Sequence, residues 1–141
     1  MLRVVLDTSV LVAGLRSKQG ASNALLVLVA EQEIKPLVTT PLFLEYEEVL
    51  LRAEHRLVTG MSEADVASFL AALASASEGV EVHFQWRLQL SDPADEIVLE
   101  AAINGHADAL VTHNIADFAE AARRFGLRVV APGNILKELK T

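Results

Sequence analysis

Residues 2–12 read LRVVLDTSVLV, and the setting of the aspartate in that run decides the class of fold. Leu2–Leu6 is apolar and β-branched, and Arg3–Asp7 reads as a buried strand, although it is too short to classify by periodicity alone. Thr8, Ser9 and the apolar Val10–Val12 follow directly, which places Asp7 at the carboxyl edge of a sheet rather than in a surface hairpin. Open parallel sheets hold their ligands outside the carboxyl ends of the strands, near a switch point in strand order. Asp7 therefore marks both an element and a candidate site.

Working outward, Gly14 and Arg16–Gly20 read as a polar loop, and Ser22 as the cap of a helix over Asn23–Glu31 with Ala24, Leu25, Leu28 and Val29 on one face. Leu37–Thr39 is a short strand. Thr40 caps a helix with Pro41 at its first position, running to about Ala53 with Glu48 and Arg52 as a surface pair. Ser62 opens a further helix with Asp65 in the reciprocal capping position, and this helix ends in Ser75–Gly79. Val80–Phe84 reads as a third strand, Asp92–Pro93 as the start of a helix to about Asn104 stopped by Gly105, and Ala109–Thr112 as a strand. Ile115–Phe125 is a helix closed by Gly126, Arg128–Ala131 a last strand, and Pro132–Asn134 leads into a C-terminal helix. Strand and helix alternate, which implies an α/β fold with a parallel sheet covered on both faces.

At 141 residues with neither repeat nor linker, the chain reads as one domain, residues 1–141, large enough for a real core. A hydrophobic fraction of 52% argues against disorder. The longest apolar run, Ala24–Ala30, is far below the roughly 18 residues of a membrane span. The N-terminus has no signal-peptide pattern, and the absence of cysteine excludes a disulfide framework or thiolate metal site. The expectation is a cytoplasmic protein with no membrane association. A net charge of −7 is unlike most nucleic-acid binders, but acids that hold metal would be offset by it. The cations gather late in the chain, at Arg123, Arg124, Arg128, Lys137 and Lys140, as a basic rim or simply a solvated helix face.

The acids carry the chemistry. Glu45 shares a helix face with Leu42 and Val49, where a carboxylate is desolvated unless something pairs with it; Glu47 and Glu48 are the alternative buried acids. Asp95 leads the stripe Val98, Leu99 and Ala102, whereas Asp92 is also an ideal N-cap before Pro93. Asn114 and Asp117 have a local reading as cap and third helical residue, and a second reading as site groups. Ser9 and Thr112 are hydroxyls suited to orient a carboxylate or a water. Clustered carboxylate oxygens repel one another unless a cation compensates, and they suit Mg²⁺ or Mn²⁺. The four histidines, His55, His83, His106 and His113, have no metal spacing; His113 adjoins the site and reads as a surface residue.

Five stretches in order, VVLDTSVLVAGL (4–15), LFLEYEEVL (42–50), DPADEIVLEAA (92–102), ADALVTHNIADF (107–118) and GLRVVAPGNIL (126–136), resemble the PIN-domain family of metal-dependent nucleases, and within it the VapC-like toxins of toxin–antitoxin pairs. No single motif is specific; their order and spacing are. The resemblance implies a three-layer α/β/α sandwich with a central parallel sheet, often dimeric. It implies an endoribonuclease dependent on Mg²⁺ or Mn²⁺, with RNA as substrate and an antitoxin protein as partner, that cleaves phosphodiester bonds by a metal-activated water. Asp7, Glu45 and Asp95 match the family's first three acids. At the fourth, the family commonly has Asp where this chain has Asn114, which keeps a carbonyl oxygen and loses a charge; Asp117, one helical turn on, is the substitute. The alternative that Asn114 supports is a PIN-like module that binds RNA or protein with weakened catalysis.

Other acidic-pocket folds fit less well. A haloacid-dehalogenase phosphatase needs a second Asp where this chain has Ser9, and a receiver domain needs a phosphoacceptor Asp and a late Lys at strand ends that lack them. Neither phosphate-binding glycine motif of the nucleotide-binding folds is present.

Overall fold

Val4, Val5 and Leu6 are almost wholly excluded from water, as are Ala109, Leu110 and Val111, so neither strand alternates between an inner and an outer face. Strands buried on both faces belong to the middle of a parallel sheet covered by helices. The computed structural model describes residues 1–83 and 92–139. Its elements are β1 (Leu2–Leu6), α1 (Thr8–Arg16), α2 (Ala21–Ala30), β2 (Ile34–Val38), α3 (Thr40–Leu51), α4 (Ala53–Thr59), α5 (Glu63–Ala76), β3 (Glu78–Gly79), α6 (Pro93–Asn104), β4 (Ala109–Val111), α7 (Ile115–Phe125), β5 (Val129–Val130) and α8 (Pro132–Leu139).

The sheet order is β3-β2-β1-β4-β5, and every pairing among these strands is parallel. From β1 the chain steps outward through β2 to β3, then returns to the other side of β1 for β4 and β5. Right-handed crossovers in opposite directions put their helices on opposite faces, which gives the expected α/β/α sandwich. The reversal falls between β1 and β4, where Leu6 is in register with Val111. The Asp7 amide extends that pairing by donating to the Val111 carbonyl at 2.9 Å. Asp7 and Thr112 thus sit side by side at the switch point.

Several boundaries follow local chemistry. Ser62 and Asp65 form a reciprocal capping box on α5, Asp92 caps α6 through the Ala94 amide, and Gly126 closes α7 at a positive φ of 63°. Thr39, rather than Thr40, caps α3, its hydroxyl accepting from the Leu42 amide at 3.1 Å.

Three further readings are corrected. The segment through Gly14 and Arg16 is the second half of helix α1, and only Ser17–Gly20 is loop. Gly14 is buried there because α2 crosses close to it: a Cβ would stand 2.6 Å from Leu26 Cδ1 and 3.2 Å from the Ser22 carbonyl carbon. Asn23 Nδ2 donates to the Gly14 carbonyl at 2.8 Å across the same contact. Ser22 is not the cap of α2, a position held by Gly20. The third strand lies at Glu78–Gly79, two residues before the expected start, with the Val80 amide still donating to Val38; Val80–His83 is not strand, and Phe84 lies outside the described residues, as does Lys140. Among the described residues no single helix is long and apolar enough to cross a membrane.

Candidate active site

Asp7 is 5% exposed, and one of its oxygens carries two short hydrogen bonds. Ser9 Oγ donates to Oδ2 at 2.7 Å and the fully buried Thr112 Oγ1 donates to the same atom at 2.6 Å. Thr112 Oγ1 in turn accepts from the Asn114 amide at 2.9 Å. Both hydroxyls expected to orient a carboxylate do so. The effect is to fix the Asp7 carboxylate before any ligand arrives.

A cleft of about 440 Å³ opens over this edge of the sheet. Asp7, Ser9, Glu45, Asp95 and Asn114 line it, together with Arg16, His55 and His113. Each acid comes from a different element: Asp7 from the end of β1, Glu45 from α3, and Asp95 from the first turn of α6. Leu42, Tyr46 and Val49 bury the inner face of α3, and Glu45 is half-buried among them while Glu47 and Glu48 are exposed. The alternative of a buried Glu47 or Glu48 is thereby excluded. Tyr46, beside Glu45 and fully buried, donates its hydroxyl to the Leu6 carbonyl and so ties α3 to the end of β1. Val98, Leu99 and Ala102 are buried as the stripe on α6 requires, which turns Asp95 toward the cleft.

Burial and the neighbouring acids both disfavour the ionised forms of two cleft carboxyls. Asp95 is pushed up to about 6, first by burial and then by the charges of Asp7, Asp92 and Asp117. Glu45 is raised by burial first, then by Glu48, with Arg52 opposing and Asp92 and Asp7 adding to the rise. Asp92 and Asp117 are exposed and lie outside the cleft lining, so they act on the site as charges at its margin. Asp92 is occupied as a helix cap, with Oδ1 accepting from Ala94 at 2.9 Å. Asn114 is the N-cap residue of α7 by position, but its side chain makes no capping bond and it lines the cleft.

The carboxylate oxygens of Asp7, Glu45 and Asp95 fit a hard divalent cation in chemistry. Among the described residues no three acidic or histidine side chains gather tightly enough to bind one ion by themselves. That arrangement is compatible with Mg²⁺, which keeps several waters and is held through one or two carboxylates plus substrate phosphate.

Three cleft residues were not read as functional groups in the sequence. Arg16 read as loop, His55 fell in a helix not foreseen, and His113 read as surface. His113 is exposed, yet it lines the cleft and its Nε2 lies 2.7 Å from the Oγ of buried Ser22, which fastens the loop after β4 to α2.

The family model described as PIN domain matches residues 3–116. No curated protein matches the chain. Among solved structures, a chain in the crystal structure of VapBC2 from Rickettsia felis bound to a DNA fragment from their promoter is similar at a TM-score of 0.62 and 16% identity, covering 92% of this chain and 98% of that chain. At that identity the likeness is one of fold, and it agrees with the sheet order and layers described above. The family match, which spans β1 through the first turn of α7 and so takes in Asp7, Glu45, Asp95 and Asn114, identifies the chain as a member of the PIN-domain family.

Proposed function

We propose that this PIN domain is a metal-dependent endoribonuclease, a VapC-like toxin that acts as a homodimer and is held in check by an antitoxin protein. The observation that carries the nuclease reading is the meeting of Asp7, Glu45 and Asp95 in one cleft at the switch point of the sheet. The VapBC2 likeness supports the pairing with an antitoxin.

Asp7 and Asp95 are the principal ligands for Mg²⁺ or Mn²⁺ in this reading, and Glu45 serves as a further ligand or as the base that orients water. A bound divalent ion supplies Lewis acidity, which acidifies water and polarises a phosphoryl oxygen. Ser9 and Thr112 hold Asp7 in one orientation, so little reorganisation is needed when substrate binds. In this reading Asn114, which lines the cleft, turns its amide oxygen to the ion, and Asp117 contributes charge from outside the cleft.

The deciding experiment is RNA cleavage by the purified protein with Mg²⁺, Mn²⁺ or EDTA, with Asp7→Asn alongside. Metal-dependent cutting by the wild type should disappear in the variant while its circular dichroism stays native. Cutting at wild-type level by Asp7→Asn would remove Asp7 from the catalytic set. A second reading, an RNA- or protein-binding PIN module with weakened catalysis, is favoured by Asn114 standing in the cleft where the fourth acid would be. A folded wild type that cuts no RNA with either metal would select it.

A further inference from the structure

One wall of the cleft is a single face of α1. Ser9, Val12, Ala13 and Arg16 recur at helical spacing, and all four line the cleft. Asp7 stands at the amino end of that face and Arg16 in the last turn. The seven steps from Ser9 to Arg16, at 1.5 Å of rise each, place Arg16 about 10 Å along the helix from the carboxylate end. Arg16 is exposed and makes no ion pair or side-chain hydrogen bond among the described residues. A cation in the last turn is favourable toward the helix dipole at any position around the axis. This one is on the side that faces the acids, and the dipole does not account for that choice.

A strand of RNA entering this cleft meets a floor of carboxylates that repels it except where a cation intervenes. A guanidinium fork matches phosphate geometry and keeps its charge throughout the accessible pH range. Resting on the nuclease reading above, we propose that Arg16 is a phosphate-binding residue of the cleft, gripping single-stranded RNA at a phosphate next to the one presented to Asp7, Glu45 and Asp95. The separation along α1 is what assigns it to a neighbouring phosphate rather than the scissile one. It also gives the bound strand a direction across the cleft.

The test is binding, read separately from cutting. A short, labelled, random-sequence single-stranded RNA with phosphorothioate linkages is titrated with the full chain in Mg²⁺ at several salt concentrations, and its length is checked on a gel afterwards. Arg16→Gln should weaken binding about fivefold to tenfold and flatten the plot of log affinity against log salt by about 0.7, the share of one phosphate contact on a single strand. Arg16→Lys should keep most of the slope. Arg123→Gln, an equal change of charge on the far turn of α7, should leave affinity and slope as in the wild type. Unchanged binding by Arg16→Gln, or an equal loss in Arg123→Gln, overturns the assignment. Cleavage is read separately on the same RNA with ordinary phosphodiester linkages, in Mg²⁺ and in Mn²⁺: Arg16-dependent binding with no cutting of that RNA in either metal would sink the nuclease reading and leave Arg16 in place. Cleavage by a wild type whose binding ignores Arg16 would do the reverse.

Discussion

Asp95 is a carboxyl that holds its proton to a higher pH in the folded chain than in the unfolded one, with its value pushed up from 3.8 to about 6. The ionised form is the one the fold disfavours. Its cost is therefore absent below about pH 3.8, grows as the pH climbs toward 6 and is complete above that. Asp95→Asn should melt at a higher temperature than the wild type in EDTA at pH 7.5, and the gap should close by pH 4. Equal melting temperatures at both pH values would mean that neither burial nor the charges of Asp7, Asp92 and Asp117 disfavour the ionised Asp95. Thr112 is the opposite case, a neutral group the fold needs. Thr112→Val keeps the shape but leaves Asp7 Oδ2 short of one donor and the Asn114 amide without its acceptor. A loss of about 1–3 kcal/mol is expected from denaturant titration. Asp7, Glu45 and Asp95 were legible in the sequence because each is an acid at a strand end or on an apolar stripe. The tether of His113 to Ser22 was not, because the two residues are 91 positions apart and neither sits in a pattern that names the other.

At the scale of elements, what could be read depended on whether the stop and start signals were local. The capping box at Ser62, the Asp92–Pro93 start and the Gly126 stop each satisfy backbone groups within a few residues, and the corresponding helices begin and end there. Helix α1 has no side-chain cap and contains β-branched valines and a glycine, all poor for helix formation. It is held by tertiary packing, through the close crossing with α2 at Gly14. Gly14→Val should force α1 and α2 apart and destabilise the protein by about 1–3 kcal/mol, measured as a lower denaturant midpoint with an unchanged slope. An unaffected midpoint would show that the crossing yields freely. Helix α4 went unread because the break at Arg52 is a turn of backbone with ψ of 136° and involves neither proline nor glycine. Strand β3 was misplaced for a different reason: Glu78 and Gly79 are both exposed and carry no apolar alternation, so only the pairing with Leu37 and Val38 defines them.

For the molecule as a whole, the net charge of −7 and the crowding at the switch point act in the same direction. If the cleft takes a divalent cation, Mg²⁺ or Mn²⁺ should raise the melting temperature of the wild type more than sodium chloride of equal ionic strength does, since only specific binding to the folded state adds to screening. Asp7→Asn should blunt that difference. A rise matched by sodium chloride would reduce the effect to screening.

The bond between Thr112 and Asp7 spans 105 positions of the chain, so the site has an order of assembly as well as a geometry. During synthesis Asp7 leaves the ribosome first and must wait for Glu45, Asp95 and finally β4 with Thr112. At about 5–20 residues per second that wait is several seconds or more. Throughout it the acids are strung along an incomplete sheet with no switch point to gather them. A nascent chain therefore lacks a formed cleft until most of its length has been translated, and any truncation before β4 leaves the carboxylates without the element that brings them to one edge.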